Sequence, residues 1–433
     1  MKKIFFISTI IISFLFSFVT NLFAVELYDL AYRTHLLKNG KTLFVRYRNP
    51  LLDPVLRTFE TYMFDPRTGK ITFLQHPQEK LYILPVVSRD KSTLSYHSLI
   101  EGSDYLVTRN LQTGKSVRLR FDTSGYFLEI GIDYDNDTIV ASIKRGENRQ
   151  ALYLISNNRG TIRRILDGRN FISTGFFYNG NPYFVEVIDE WKILGFVNLK
   201  TGERHVIAER IDFATKAPNG DVFLYSQENN LYLYRVYGNE SLIISRQFQS
   251  RKNPLLLASD GSTCAVIEDD SIYIINIPSG DVMYYISMDT ENLSFYLTDF
   301  TLYIIKKNKI LYLEHKKPGQ TLQELYEDTQ PLHLLAVSQN DRYLVYQHEK
   351  KNQAIIYDRK AGRHYSKEFG FIIQEVLPPD TEDSFYIIAR SIEPKKKIPV
   401  KEVYLYNFLA EKLFTVSTAS DLENFIQLYL TEE

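Results

Sequence analysis

Cysteine is nearly absent from this chain, since Cys264 is the only one in 433 residues. A single thiol cannot form an intramolecular disulfide, so burial of apolar side chains must stabilise the fold. An excess of charge is absent too, because 51 Lys and Arg residues stand against 52 Asp and Glu residues. A nearly neutral chain offers no electrostatic attraction to a polyanion, and we expect no nucleic-acid partner.

Long apolar runs are missing except at the N-terminus. There, Lys2 and Lys3 precede an apolar stretch (4–23), and Ala24 supplies a small residue for cleavage. This order is typical of an export signal. We therefore expect residues 1–24 to be a signal peptide and the mature chain to reach the periplasm or the cell exterior without a membrane span. An uncleaved signal would instead anchor the protein in the membrane.

Helical patterns are scarce as well, whereas the 31 Tyr and 28 Phe residues favour strands. The exception is "SDLENFIQLYL" near the C-terminus, where Ser420 and Glu423 form a capping box. This segment predicts a short helix and tail over residues 420–433.

One type of turn, by contrast, is abundant. Asp or Asn at the start of such a turn bonds its own backbone, and a final glycine supplies the positive φ that closes the hairpin. The glycines recur about every 42 residues. The segments are DPRTG (65–69), NLQTG (110–114), SNNRG (156–160), NLKTG (198–202), YRVYG (234–238), NIPSG (276–280), HKKPG (315–319), DRKAG (358–362) and a ninth that lacks glycine, NFLAE (407–411).

A second series of turns lies upstream of the first, and a short apolar strand such as "TLFVRY" or "RYLVYQ" follows each of its members. Each unit thus holds two hairpins, or about four strands in roughly 40 residues. That period predicts an all-β fold, a single β-propeller of four-stranded antiparallel blades over residues 25–419. Nine units are countable, and we expect about eight blades within a range of roughly seven to nine.

Two segments carry a resemblance to a known family. "LLAVSQNDRYLVYQHEKKNQAIIYDRKAGR" (334–363) and "KAPNGDVFLYSQENNLYLYRVYGN" (216–239) resemble blades of the WD-repeat-like propellers of exported bacterial proteins, the TolB type included. The Gly-His and Trp-Asp signatures of true WD repeats are missing. The resemblance implies the fold and assigns no functional residue.

Motifs of known chemistry are incomplete. Gly114-Lys115-Ser116 ends like a phosphate-binding loop, but Arg109 occupies the position of the first glycine, and a strand pattern follows where that loop needs a helix. The eight histidines lack the spacing of metal ligands, and Cys264 lies within a strand pattern as a buried thiol. We expect no catalytic residue, metal or cofactor, and tyrosines that pack between neighbouring blades.

Two units have a long link between their turns, of 29 residues in the first (Gly40 to Gly69) and in the last (Glu382 to Glu411). The extra residues, 48–60 and 391–402, fall on the propeller face that carries the blade-to-blade connections. Function often lies in loops presented by a rigid scaffold. The candidate partner-binding patch, suited to an acidic or mixed partner, comprises Leu51, Leu52, Leu56, Lys395, Lys396, Lys397 and Lys401. Alternatively, these loops only cover the closure between first and last blades, and their lysines are solvated.

These observations favour an exported, non-catalytic, monomeric scaffold that binds another protein or an envelope polymer through its loop face. A propeller enzyme of the lactonase or hydrolase type is the alternative, and it requires carboxylates and His from several blades at one channel mouth. A carbohydrate-binding propeller is the third possibility, and it requires coplanar exposed aromatic rings.

Overall fold

The structure, a computed structural model, describes residues 32–417 with gaps in several loops. The predicted signal peptide (1–24) and C-terminal helix (420–433) lie outside the described residues. The gaps are at 38–39, 48–57, 66, 77–78, 82, 84, 89, 122–125, 133–137, 145–149, 157–158, 169, 179–180, 189–190, 218–221, 247, 250–253, 339, 349, 382–383 and 392–400.

The described residues form nine four-stranded antiparallel sheets, in each of which the strand order follows the chain order. We number these sheets blades 1 to 9. They confirm the prediction of an all-β propeller fold, and their number equals the nine repeat units rather than the expected eight. Among the described residues, no helix has the length and apolar character needed to cross a membrane.

The chain divides into two compact units. Unit 1 comprises Met1–Val87, Lys91–Asp122 and Ala419–Glu433, and unit 2 comprises Ser88–Asp90 and Thr123–Thr418. Unit 1 contains blades 1 and 2, whose strands are β1 (Tyr32–Leu36), β2 (Thr42–Tyr47), β3 (Phe59–Asp65), β4 (Lys70–Phe73), β5 (Val86–Val87), β6 (Thr93–Ile100), β7 (Ser103–Asn110) and β8 (Ser116–Phe121).

Unit 2 contains blades 3 to 9. Blades 3 to 5 are formed by β9 (Tyr126–Ile132), β10 (Thr138–Lys144), β11 (Gln150–Ser156), β12 (Thr161–Gly168), β13 (Asn170–Tyr178), β14 (Asn181–Ile188), β15 (Trp191–Val197), β16 (Arg204–Ile211), β17 (Phe213–Lys216), β18 (Val222–Gln227), β19 (Asn230–Arg235) and β20 (Glu240–Ser245). Blades 6 to 9 are formed by β21 (Leu255–Leu257), β22 (Thr263–Ile267), β23 (Ser271–Asn276), β24 (Val282–Ser287), β25 (Ser294–Leu297), β26 (Thr301–Lys306), β27 (Lys309–Glu314), β28 (Gln323–Glu327), β29 (His333–Val337), β30 (Tyr343–Gln347), β31 (Gln353–Asp358), β32 (Arg363–Glu368), β33 (Phe371–Thr381), β34 (Ser384–Ser391), β35 (Lys401–Asn407) and β36 (Lys412–Ser417).

The turns between the third and fourth strands have the predicted chemistry. The Asn110 side-chain oxygen accepts the N–H groups of Gln112 (3.0 Å) and Thr113 (2.8 Å), and Gly114 has a φ of 73°. Seven of the eight turn glycines have positive φ; in the fifth and ninth turns that conformation falls on Asn239 (50°) and Glu411 (52°). Lys115 is followed by a strand, β8, whereas a phosphate-binding loop requires a helix at this position.

The core consists of apolar layers between neighbouring blades. Cys264 of blade 6, for example, packs in one cluster with Leu224 and Leu233 of blade 5, and Ile274 of blade 6 packs with Leu302 of blade 7. The Cys264 side chain is fully buried, and burial raises the pKa of its thiol to about 12. The prediction of a buried thiol is confirmed, and the apolar layers supply the stabilisation that disulfides cannot.

Aromatic rings join several of these layers, as predicted for the tyrosines. The ring of Tyr183 in blade 4 stacks on Phe223 in blade 5 with centroids 5.4 Å apart, and Tyr343 in blade 8 meets Phe408 in blade 9 at 4.9 Å. Aromatic pairs in this distance range add stabilisation beyond the apolar area that they bury.

The blades of unit 2 have two distinct ends. Because each blade is an antiparallel meander, the hairpins between second and third strands lie at the same end as the connections to the next blade. We call this end the loop face. The turns between first and second strands and between third and fourth strands lie at the opposite end, which we call the turn face.

Candidate functional site

The partner-binding patch predicted from the sequence falls almost entirely outside the described residues. This applies to Leu51, Leu52, Leu56, Lys395, Lys396 and Lys397. Lys401 is the first residue of β35 and pairs with Arg390 in the sheet, but its side chain is not described. The patch therefore stays a prediction, and the described residues offer a different candidate.

A pocket of about 550 Å³ lies on the loop face of unit 2, between blades 6 and 7. We call it the 6/7 pocket. Its volume is in the range of ligand-binding clefts in proteins. Three chain segments form it: the residue before β21, the end of β22 with the blade 6 hairpin, and the connection from blade 6 to blade 7 with the start of β25. The lining residues are Pro254, Ile267, Glu268, Asp269, Asp289, Thr290, Glu291, Leu293 and Phe295.

The base of the 6/7 pocket is apolar. Ile267 is buried at the end of β22, and Leu293 and Phe295 are half-buried. Leu293 and Phe295 also pack against the cluster that joins blades 6 and 7, so the base continues the core of this seam. A ligand with an apolar portion could bury it here.

The rim of the 6/7 pocket is acidic. Glu268 is half-buried, whereas Asp269, Asp289 and Glu291 are exposed. The described lining contains no Lys, Arg or His. The four carboxylates of the described lining contribute negative electrostatic potential to the cleft, and negative potential attracts a cation.

Hydrogen bonds hold the rim in place. The Ser245 hydroxyl of blade 5 donates to Glu268 Oε1 at 2.7 Å, and Asp289 Oδ1 accepts the backbone N–H of Glu291 at 3.0 Å. Thr290 donates its hydroxyl to the carbonyl oxygens of Glu268 (2.6 Å) and Asp269 (3.1 Å). The connection is therefore tied to the hairpin, and the carboxylates are presented from a fixed backbone.

The backbone bonds that create this site recur at the next seam. In blade 6, the carbonyl oxygen of Asp270 accepts the N–H of Met288, and that of Asp269 accepts the N–H of Thr290. In blade 7, the equivalent carbonyls belong to Asn308 and Lys307, which accept the N–H groups of Asp328 and Leu332. The 6/7 pocket is thus a variation in side chains on a repeated backbone arrangement.

A second polar group, the turn-face cluster, occupies the opposite end of blades 6 to 8. Its members are Ser259, Asp260, Thr298, Asp299, His315, Lys316 and Asp341. Asp299 accepts the Ser259 hydroxyl (2.9 Å) and the Asp260 backbone N–H (2.9 Å) from blade 6. Lys316 of blade 7 pairs with Asp260 of blade 6 at 3.2 Å. The Thr298 hydroxyl of blade 7 donates to Asp341 of blade 8 at 2.9 Å.

Two members of the turn-face cluster are buried and have shifted titration. Burial lowers the pKa of His315, whose Nε2–H donates to the Thr298 carbonyl oxygen at 3.2 Å. Burial raises the pKa of Asp341, although the hydroxyls of Thr301 and Thr298 oppose that shift. Shifted groups that meet across blades are candidates for catalysis. Here, however, each of the three carboxylates accepts a hydrogen bond from an adjacent blade, so the cluster fastens blades 6, 7 and 8 together.

Within the described part of the chain, no group of three or more His, Cys, Asp or Glu side chains is arranged to hold a metal ion. Neither the 6/7 pocket nor the turn-face cluster therefore offers a metal-ligand set among the residues described. The described lining of the 6/7 pocket can recognise a ligand by charge and by apolar contact.

The sequence patterns described above did not predict the 6/7 pocket. A signal was present, because the short stretch "EDDSIYIINIPSGDVMYYISMDTEN" (268–292) contains acids at both of its ends and no basic residue. What the sequence did not show is that the two ends meet at one seam, since that depends on the length of the hairpin and the connection.

Comparison with known proteins defines the fold alone. No protein-family model and no curated protein matches the chain. Among solved structures, a eukaryotic initiation factor shares 10% identity over 82% of this chain and 93% of that chain, with a TM-score of 0.54. This likeness supports the propeller fold.

Other solved structures are similar at lower TM-scores. The WD40 domain of SCAP from fission yeast has 10% identity over 75% of this chain and 95% of that domain, with a TM-score of 0.37. The tricorn protease has 10% identity over 90% of this chain, with a TM-score of 0.29, and the chain spans 44% of that protease.

Proposed function

We propose that this protein is a non-catalytic binding propeller that holds another protein or an envelope component on the loop face of unit 2. The observation that carries this proposal is the 6/7 pocket, where four carboxylates surround an apolar base. The sequence pattern of residues 1–24 supports a site of action outside the cytoplasm.

The interblade contacts of the turn-face cluster favour binding over catalysis. Asp260, Asp299 and Asp341 are engaged by Lys316, Ser259 and Thr298 respectively, each from a neighbouring blade. Aromatic rings give little support for sugar stacking. The parallel Tyr225–Tyr232 pair (6°) belongs to a core cluster, and the exposed Tyr285 is tilted by 50° against Tyr273.

The single buried thiol allows a direct test of the binding face. Because Cys264 is fully buried, a cysteine introduced on the surface can be labelled selectively with a bulky polyethylene glycol maleimide. Glu291→Cys places the label at the 6/7 pocket. Phe300→Cys, at a residue 50% exposed on the turn face, is the matched control.

The full chain carrying either label is used to capture partners from an envelope extract, and bound proteins and polymers are identified. We expect one component that binds the unlabelled chain and the Phe300→Cys conjugate but is lost from the Glu291→Cys conjugate. Equal capture by both conjugates, or no specific capture by any form, would refute the proposed function.

The alternative, a propeller hydrolase, rests on the turn-face cluster. Its test is hydrolysis of lactones and simple esters by the purified chain, with Asp341→Asn as the variant. Activity that disappears in Asp341→Asn, while Asp281→Asn on an exposed turn retains it, would replace the binding function with an enzymatic one.

A further inference from the structure

The 6/7 pocket has the features of a receptor for one long cationic side chain. Three of its acidic residues, Asp269, Asp289 and Glu291, are exposed, whereas the apolar Ile267, Leu293 and Phe295 are buried or half-buried. Lys and Arg have the complementary build, because an aliphatic stem carries a charged head. We propose that the 6/7 pocket binds a lysine or arginine side chain from an extended segment of a partner protein. This inference rests on the proposed binding function and names its ligand chemistry.

The position of each group supports that arrangement. Leu293 and Phe295 are half-buried beside the core of the seam. An aliphatic stem placed against them removes apolar surface of both the stem and the pocket from water, which stabilises the complex. Asp269 and Glu291 are exposed on facing segments, the blade 6 hairpin and the connection to blade 7. A cationic head between the two segments meets carboxylates from both sides.

The surroundings select an isolated basic residue over a polycation. On the next blade, the hairpin equivalent to the acidic one carries the exposed Lys306 and Lys307. A run of lysines long enough to reach that hairpin meets these two ammonium groups and is repelled. A protein segment in which one basic residue is flanked by neutral or acidic residues avoids that repulsion.

Other ligand classes fit less well. Four carboxylates repel phosphate and nucleic acid. A divalent metal ion is disfavoured because no group of three or more His, Cys, Asp or Glu in the described residues is arranged to hold one. Sugars lack the charge that would use the rim.

Binding of synthetic peptides to the full chain tests the inference. The probes are short, blocked peptides with one central arginine or lysine in an uncharged flank of Leu, Ser and Gly. Matched peptides contain citrulline or norleucine at the same position, and spermidine serves as the free polyamine. We expect the basic peptides to bind roughly tenfold more tightly than the neutral ones, and more tightly than spermidine.

The protein variant is Asp269→Asn with Glu291→Gln, which removes two exposed charges and preserves shape. Asp281→Asn with Glu209→Gln removes two exposed charges that do not line the 6/7 pocket and is the control. We expect the pocket variant to weaken basic-peptide binding by roughly fivefold to tenfold, and added salt to weaken binding to the wild-type chain. Thermal melts of both variants verify that they fold.

Equal affinity for arginine and citrulline peptides, or affinity unchanged by Asp269→Asn with Glu291→Gln, would overturn the inference. Stronger binding of spermidine than of the peptides would assign the pocket to a free polyamine and overturn it as well. The maleimide experiment stays independent of these results: loss of a captured partner from the Glu291→Cys conjugate, without basic-peptide binding, leaves the proposed function standing and rejects only this ligand.

Discussion

The seams between blades 6 and 7 and between blades 7 and 8 have the same backbone bonding and opposite side-chain chemistry. In both, two hairpin carbonyls accept N–H groups from the connection to the next blade. Acidic residues occupy the hairpin of blade 6, whereas lysines occupy the hairpin of blade 7. The difference shows that the repeated scaffold fixes where a loop lies, while the few residues at its tip determine what it can bind.

The side-chain contacts of the 7/8 seam also differ from those of its neighbour. Tyr326 donates its hydroxyl to Asp328 at 2.5 Å, and the Tyr346 hydroxyl lies 3.0 Å from Nδ1 of His364. His364 stacks on Tyr357 with centroids 4.7 Å apart. The 6/7 seam instead uses a mainly aliphatic layer around Ile274 and Leu302. The 6/7 seam has an acidic cleft, whereas the 7/8 seam has hydrogen-bonded aromatic rings that extend from the buried Tyr346 to the exposed His364.

The largest effect should come from removing a buried side chain from the apolar layer of either seam, and the loss of stability should be similar at both. Ile274→Ala in the 6/7 layer and Leu344→Ala in the 7/8 layer remove fully buried side chains. Each should lower the free energy of unfolding by about 2–5 kcal/mol, because a cavity remains. Urea denaturation measures the loss, and Val282→Ala, at a residue 49% exposed, is the control. A small loss at only one of the two sites would show that the layers are not equivalent.

Exchanging the hairpin charges should have the next largest effect. Asp269→Lys with Asp270→Asn gives blade 6 the residues that stand at the equivalent positions 307 and 308 of blade 7. Binding of the basic peptides should weaken by at least roughly tenfold, or about 1.4 kcal/mol, because two carboxylates are lost and a cation is added. The thermal midpoint should change little, since the shared backbone bonds remain. Unchanged peptide binding after this exchange would show that the blade 6 hairpin does not contribute to recognition of the basic residue.

The hydrogen-bonded rings of the 7/8 seam give a smaller effect. Tyr346→Phe removes the buried hydroxyl that faces His364 and should cost about 0.5–1.5 kcal/mol of unfolding free energy. The control is Tyr285→Phe, at a ring 59% exposed on β24, which should be nearly neutral. Comparable losses from the two variants in urea denaturation would argue that the buried hydroxyl contributes nothing specific.

The smallest effect concerns pH. Partial desolvation lowers the pKa of His364, which is solvent-exposed on β32, below its ordinary value of about 6.5, although the Asp328 carboxylate opposes the shift. The unfolded chain then binds a proton before the folded chain does. The stability from neutral His364 is fully present above about pH 6.5 and is lost as the pH falls through the folded pKa. His364→Phe should make the unfolding free energy less dependent on pH between about 7 and 5. An unchanged pH profile would remove His364 from this role.

The sequence predicted the repeat because turn chemistry is local. Asn110 and Gly114 fix a hairpin through interactions between residues that are close in sequence, so this turn can be recognised from the sequence alone. Glu411 was recognisable only by its place in the series, and it adopts the conformation that glycine has in seven of the other turns. Counting every unit, including this degenerate one, gives the nine blades of the structure, whereas the expected number was about eight within a range of roughly seven to nine.

The candidate site could not be predicted in the same way. Glu268 and Glu291 lie in different segments, and they share a cleft because the connection bonds to the hairpin carbonyls. Likewise, the contacts of Asp341 with Thr298 and of Lys316 with Asp260 span more than 40 residues of chain. Such pairings depend on how neighbouring blades are docked, which no local pattern specifies.

The single thiol is a built-in probe of how often the seam between blades 5 and 6 opens. Cys264 is fully enclosed by residues of both blades, so no reagent can reach it while they stay packed. Its rate of alkylation at fixed pH therefore reports how often that one seam opens, without any probe being introduced. A partner that binds at the adjacent 6/7 seam and stabilises the packing of blade 6 should therefore slow the alkylation of Cys264.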